Sequence, residues 1–539
     1  MGPPSVALWN AFHRHASLTL KFVRNYTRIT AQEINPNMRK LEYAVRGPIV
    51  QRAIEIEKGL LKGEKKPFDS IIRCNIGDCH FAGQTPISFI RQVIAVACDT
   101  HLMDSSVIPD DAKERALRFL RSVGGSVGAY SQSTGVELVR EDIAAYIEQR
   151  DGIPSSPENI FLATGASEAV KFILGLLATT KEGSQRAGVM IPIPQYPLYS
   201  ATLSEFNNYQ IGYYLEEESG WSLREEELEA RLEAAKAHCK PRVLVVINPG
   251  NPTGQVLTHD NIAAVLRFAH RNNLLVLADE VYQHNIYAPD RRFHSFKRVL
   301  HELGGNIANE VQLASMMSAS KGFMGECGFR GGYCELVNFD PEVRAQLYKC
   351  LSARLCPPVL GQLTMDVVVN PPRPGEPSFE QFSAEKSQVL SDLAKKAKLV
   401  ESLFNQLPGY HCQPVMGAMY AFPRLELPPK AMRAAELANM PVDAFYVTKL
   451  LEETGVCVVP GSGFSQKPGT FHFRTTILPK VEQMHVMMEH LQLTGCSLLQ
   501  NGDPVLILDL NALTIAFSCG YGPFYIRNKT RSHLFLILV

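Results

Sequence analysis

The sequence predicts an α/β protein: a large domain with a mostly parallel sheet covered by helices, and after it a smaller α+β domain. Two observations lead there. Between residues 155 and 340, short β-rich runs alternate with helical patterns, and the runs are apolar throughout, as strands buried on both faces are. From about residue 355 the texture changes. A Pro-rich connector, Val368-Val-Asn-Pro-Pro-Arg-Pro-Gly-Glu-Pro, leads into a long charged helix and then into strand-like pieces.

Taken in order, the chain divides into an atypical leader (residues 1–30), an arm that also contributes to the smaller domain (31–85), the large domain (86–360), the smaller domain (361–495) and an atypical tail (496–539). The leader carries Arg14, Lys21, Arg24 and Arg28 among hydroxyl and apolar residues, and the first acidic residue is Glu33. That is the composition of a mitochondrial transit peptide; a cytosolic tail is the alternative. In the large domain, Asn159–Ala163 reads as a strand, followed by a turn and an apolar helix to about Ala178. Gly188–Pro192, Arg242–Ile247, Leu274–Asp279 and Gly332–Val337 read as further strands, with a helix over Thr258–Arg271. In the smaller domain, a helix spans roughly Ser378–Leu407, and strand-like pieces lie at Ala418–Phe422, Val456–Val459 and Thr470–Arg474. The tail shows no helical period and ends on six apolar residues, Leu534 to Val539.

Composition narrows the function. Of 539 residues, 45% are hydrophobic and 20% charged, which excludes a mostly disordered chain. Lys plus Arg and Asp plus Glu are each 54, so the global positive charge of a nucleic-acid binder is missing. The 12 Cys form no CxxC pairs, so neither a zinc ribbon nor a disulfide scaffold is indicated, and no metal ligand set stands out. No stretch reaches the roughly 18 uninterrupted apolar residues that a membrane-spanning helix needs.

Ligands of a parallel sheet gather beyond the carboxyl ends of its strands, and Ser167, Asn251, Asp279 and Lys321 fall there. Each feature alone has a plain structural reading: a helix cap for Asp279, turn chemistry for Asn248-Pro-Gly-Asn-Pro-Thr-Gly254, a polar turn for Ser318-Ala-Ser-Lys321, a surface residue for Arg474. Their joint order suits an anionic pyridine cofactor. Thr164-Gly-Ala-Ser167 between strand and helix offers backbone donors to a phosphate. Ser318, Ser320 and Arg330 add hydroxyls and a bidentate cation. Asp279 offers a carboxylate to a pyridinium nitrogen, and Lys321 an amine to an aldehyde. Nearby cations and a low dielectric are expected to make that Lys less basic.

The strings EYAVRGPIVQRA (42–53), IPIPQYPLYSA (191–201), VINPGNPTGQV (246–256), LADEVYQ (277–283), SKGFMGECGFRGGY (320–333), RLCPPV (354–359) and LLEETGVCVVPGSGF (450–464) closely resemble the fold-type I aminotransferases of the aspartate aminotransferase superfamily. More narrowly they resemble the alanine aminotransferases. The likeness runs from about residue 30 to about 495. It implies the pyridoxal-phosphate-dependent transferase fold and a reversible ping-pong exchange, in which L-alanine and 2-oxoglutarate give pyruvate and L-glutamate. It implies Lys321 as Schiff-base lysine and proton shuttle, and Asp279 as partner of the pyridine nitrogen. Tyr282 and Asn251 would bond the cofactor's phenolic oxygen, and Tyr196 would stack on the ring. Ala166 (through its backbone N–H), Ser167, Ser318, Ser320 and Arg330 would hold the phosphate. Tyr130 resembles the tyrosine that reaches that phosphate from a partner subunit, so a homodimer with a shared active site is implied. Arg474 and the backbone of Gly77 would bind the substrate α-carboxylate, with Asn251 alongside.

The chain departs from the alanine branch at Met316-Met317, at Ala319 and at Cys79-His80. Other readings are a fold-type I enzyme of different substrate range or a C–S lyase, and a non-catalytic protein on the same fold. A nicotinamide-dependent dehydrogenase, prompted by Gly461-Ser-Gly463, is discounted because Gln466 stands where the third glycine belongs.

Overall fold

The computed structural model describes residues 29–500, apart from Ala31 and residues 179–181. The expected leader falls outside the described residues but for its last two, and the expected tail but for its first five.

Seven strands form the central sheet. Their order across it is Ile160–Thr164, Gly331–Val337, Leu313–Ser318, Leu275–Asp279, Lys240–Ile247, Ala187–Ile193, Tyr209–Tyr214. Every neighbouring pair is parallel except those of 331–337, which runs against both its neighbours. Successive side chains of a strand point to opposite faces. Leu244, Val246, Val276 and Ala278 therefore share a core with the helix His259–Arg271. Val243, Val245, Ile247 and Leu277 enter the opposite core with the helix Ala166–Leu176. Both faces are covered, which is why these runs read as unbroken apolar text.

Two sheet strands lay outside the sequence reading. Tyr209–Tyr214 is an edge strand, and only Ile211 and Tyr213 of its six residues are fully buried. Leu313–Ser318 is Leu-Ala-Ser-Met-Met-Ser, fully buried yet poor in β-branched residues, so propensity did not mark it.

The expected connector begins two residues late. Val368 and Val369 close the helix Val359–Val369, whose apolar side chains pack with the helices Ser88–Cys98, Asp110–Ser122 and Glu137–Asp151. Beyond the connector, the helix Phe379–Gln406 presents Leu393, Ala397, Val400 and Phe404 to a third core. The strands against it are shorter than expected. Tyr420–Ala421 pairs antiparallel with Phe473–Thr476, which also pairs with Val459–Pro460. Val456–Cys457 instead pairs parallel with Ile72–Arg73, joining the arm to the later part of the chain. Among the described residues, no helix is long and apolar enough to cross a membrane.

Candidate active site

Three parallel strands stop at one edge of the sheet, and each ends in a polar group. The strand 275–279 ends at Asp279, and 240–247 runs into the loop carrying Asn251. The strand 313–318 ends at Ser318, and Lys321 follows in the loop to 331–337. The loop over Asn251 contains two cis peptide bonds, Asn248–Pro249 and Asn251–Pro252.

Asp279 is buried. Its Oδ2 accepts a hydrogen bond from the Tyr199 hydroxyl at 2.8 Å, while Oδ1 is buried with no hydrogen-bond partner among the described residues. Burial pushes its carboxyl pKa up, against the opposing pull of Tyr199, the Val281 N–H and Lys321. A buried acceptor without a donor costs roughly 1–3 kcal/mol. A protonated ring nitrogen is a donor whose charge also offsets the desolvation. The residues present fit such a group.

The other end of the cleft fits an anion. The helix Ala166–Leu176 begins there behind Gly165, and the first backbone N–H groups of a helix have no intrahelical acceptor. Arg330 Nη2 donates to Ser167 Oγ at 3.1 Å and to Thr164 O at 3.0 Å. Ser318 Oγ and Ser320 Oγ lie 3.1 Å apart. Gly165 has φ +72°, a conformation that favours glycine, and a Cβ there would stand 2.5 Å from Arg330 Nη2 and displace the guanidinium.

Between these ends, Lys321 Nζ donates to the Gly77 carbonyl at 2.5 Å. Its basicity departs from the sequence expectation. Burial pushes the ammonium pKa down, but Tyr420, Cys327 and Cys79 pull it up, and the net direction is up. The expectation assumed neighbouring cations, whereas the groups around Nζ are a hydroxyl, two thiols and a carbonyl. Tyr282 receives a hydrogen bond from Asn251 Nδ2 at 3.4 Å and donates its own to the Tyr420 hydroxyl at 3.2 Å.

Arg474 is 1% exposed. It donates through Nη1 to Asn251 Oδ1 at 3.2 Å and through Nη2 to the Asn75 carbonyl at 2.6 Å, leaving Nε buried without a partner among the described residues. The rings of Tyr420 and Phe464 lie 4.4 and 4.7 Å from its guanidinium carbon. Tyr196 meets the Tyr43 hydroxyl at 2.8 Å, and burial pushes its phenol pKa well up. Tyr130 is 79% exposed on this chain.

The fold therefore gathers Lys321, Asp279, Asn251, Tyr282, Arg474, Gly77 and Tyr196 with the anion cradle of Ala166, Ser167, Ser318, Ser320 and Arg330. Four aromatic residues that the sequence reading did not single out line the same cleft: Tyr43, Tyr199, Tyr420 and Phe464. Tyr199 had a signal, since it falls one helical turn from Tyr196. For Tyr420 and Phe464, only contacts across the chain reveal the position.

Along most of its length the chain is similar to known aminotransferases. The model of the family "Aminotransferase class I and II" matches residues 99–491. Alanine aminotransferase 1 of Homo sapiens is 57% identical over 465 residues, covering 86% of this chain and 94% of its own. A protein of Arabidopsis thaliana named alanine aminotransferase 2, mitochondrial, is 46% identical, covering 86% of each chain. Among solved structures, an alanine aminotransferase from Pyrococcus furiosus superposes with a TM-score of 0.67 at 23% identity, over 85% of this chain and 98% of its own, a likeness of fold. The chain belongs to the class I and II aminotransferase family, in the branch of the alanine aminotransferases.

Proposed function

We propose that the chain transfers the amino group of L-alanine to 2-oxoglutarate, reversibly and by a ping-pong course, giving pyruvate and L-glutamate with pyridoxal 5'-phosphate as cofactor. The observation that carries the reading is the buried Asp279 with one acceptor oxygen lacking a donor, in the same cleft as the Lys321 amine. Likeness to alanine aminotransferases at 57% identity supports the choice of amino donor.

Pyridoxal phosphate, when bound, supplies an aldehyde carbon and a conjugated cationic ring that accepts electrons from the substrate α-carbon. The residues do the rest. Asp279 keeps its negative charge against the ring nitrogen. Ala166 and Ser167 with Ser318, Ser320 and Arg330 hold the phosphate, and Tyr130 of a second subunit completes that set in a homodimer. Tyr196 covers the ring face, while Asn251 and Tyr282 bond its phenolic oxygen. Arg474, with its remaining N–H groups and planar fork, clamps the α-carboxylate that both amino acids share. Gly77 brings its backbone to the same carboxylate. Lys321 Nζ moves the proton of the substrate α-carbon.

The boundary at residues 360–361 belongs to the same proposal, as does the sharing of 31–85 with the smaller domain, which the pairing of Ile72 with Val456 supports. The basic, acid-free leader supports a mitochondrial location, with the cytoplasm as the alternative.

The test is turnover of alanine and 2-oxoglutarate, with cofactor absorbance followed. Lys321→Ala is expected to abolish transamination and leave a folded protein. Near wild-type turnover by that variant would remove the proton-moving role.

A further inference from the structure

We infer that Tyr420 is a positioning residue of this active site: its hydroxyl holds the Lys321 amine and the Tyr282 phenol in place, and its ring fixes the plane of the Arg474 fork. The inference rests on the transamination reading above and adds a residue that the reading does not use.

The argument starts from strand register. Tyr420 lies opposite Thr476 and Ala421 opposite Thr475 in an antiparallel pair. Arg474, two residues from Thr476, therefore projects to the same side of the sheet as Tyr420. The guanidinium carbon lies 4.4 Å from the Tyr420 ring centroid, with Phe464 also against it. A planar cation against an aromatic face is oriented by it as well as attracted. Arg474 has three N–H groups left to offer, the one on Nε among them, so the tilt of its plane decides where they point.

The hydroxyl faces the other way, toward the chemistry. It accepts from Tyr282 at 3.2 Å and lies beside Gly77 together with the Lys321 amine. Gly77 marks how closely these groups crowd: a Cβ there would collide with the Tyr420 hydroxyl and stand 3.0 Å from Lys321 Nζ. Packing alone does not explain the hydroxyl. Tyr420 is 3% exposed, and phenylalanine would fill the same volume without burying a polar atom. The backbone on either side is pinned independently of the side chain. Ala418 N donates to Asn285 O at 3.0 Å, Tyr287 Oη to Ala418 O at 2.6 Å, and Ile477 N to Met419 O at 3.0 Å.

Two variants of the holoenzyme separate the two functions. Tyr420→Phe keeps the ring and removes the hydroxyl. KM for alanine and 2-oxoglutarate should stay within about twofold, while kcat falls by about tenfold or more, the worth of a hydrogen bond to a charged group. The pH at which the cofactor's visible absorbance titrates should also move, because an acceptor facing Lys321 is gone. Tyr420→Leu removes the ring as well, and KM for both substrates should rise by about tenfold or more. Should Tyr420→Leu fail to fold, Tyr420→Phe carries the test through its absorbance titration and its kcat. A Tyr420→Phe enzyme with wild-type kcat and wild-type titration overturns the inference while leaving the transamination reading intact. A wild-type protein that does not turn over alanine overturns that reading, and the absorbance titration still decides the role of Tyr420.

Discussion

At Asp279 two oxygens of one carboxylate have different surroundings: the Tyr199 hydroxyl bonds Oδ2, and Oδ1 has no partner among the described residues. The 2.8 Å bond opposes the desolvation that pushes the buried carboxyl's pKa up. Hydrogen bonds to charged groups are worth roughly 1.5–3 kcal/mol. Tyr199→Phe, which changes no volume, should therefore weaken cofactor retention and lower kcat by about tenfold or more, measured by equilibrium dialysis and steady-state kinetics. An unchanged variant would show that the bond contributes only to packing. Of the site, Ser167, Asn251, Asp279 and Lys321 were legible because each stands at or just after a strand end or a glycine turn. Tyr199 and Tyr420 were not, because a buried tyrosine reads as core until its hydroxyl is seen to have a functional partner.

At the scale of the element, what positions Asp279 is the strand behind it and the helix packed on that strand. The helix His259–Arg271 is started by a capping box: Thr258 Oγ1 accepts from Asn261 N, and the Asn261 side chain accepts from Thr258 N, both at 3.2 Å. Its buried face, Ile262, Val265, Leu266 and Ala269, then lies on Val276 and Ala278. Thr258→Ala removes one half of the box and should cost about 1 kcal/mol in denaturant unfolding with little change in turnover. The helix and the strand 275–279 were both readable, one from its cap and period, the other from its unbroken apolar run. The strand 313–318 was not, because Ala, Ser and Met carry no β signal. It is a strand because it is placed between 275–279 and 331–337, which supply its hydrogen bonds.

Segments far apart in the chain meet at His284. Its Nε2 lies 3.4 Å from the Tyr146 hydroxyl, its ring stands edge-on to Phe323 at 5.3 Å, and Nδ1 is buried. Burial pushes its pKa down to about 3, and the Lys386 and Arg150 cations push the same way. The folded pKa thus lies below the unfolded value of about 6.5, and the folded protein holds His284 neutral. Stability from this group is fully present above pH 6.5 and is lost as pH falls toward 3, because only the unfolded chain takes up the proton. The slope is about 1.4 kcal/mol per pH unit. Between pH 6.5 and 5, wild type should lose about 2 kcal/mol more than His284→Gln, read from denaturant midpoints and slopes. Equal losses would show that the proton reaches His284 in the fold.

By itself the sequence determined the class of the fold, the four most apolar parallel strands and the order of the polar groups at their ends. These are local signals: apolar periodicity, caps, and Gly and Pro at turns. Tertiary structure alone decided which way 331–337 runs, that Ile72 pairs with Val456, and which aromatic rings enclose Arg474 and Lys321. The reason is physical. A strand's partner and a side chain's neighbour are set by burial shared between segments hundreds of residues apart, and no local window of sequence contains both.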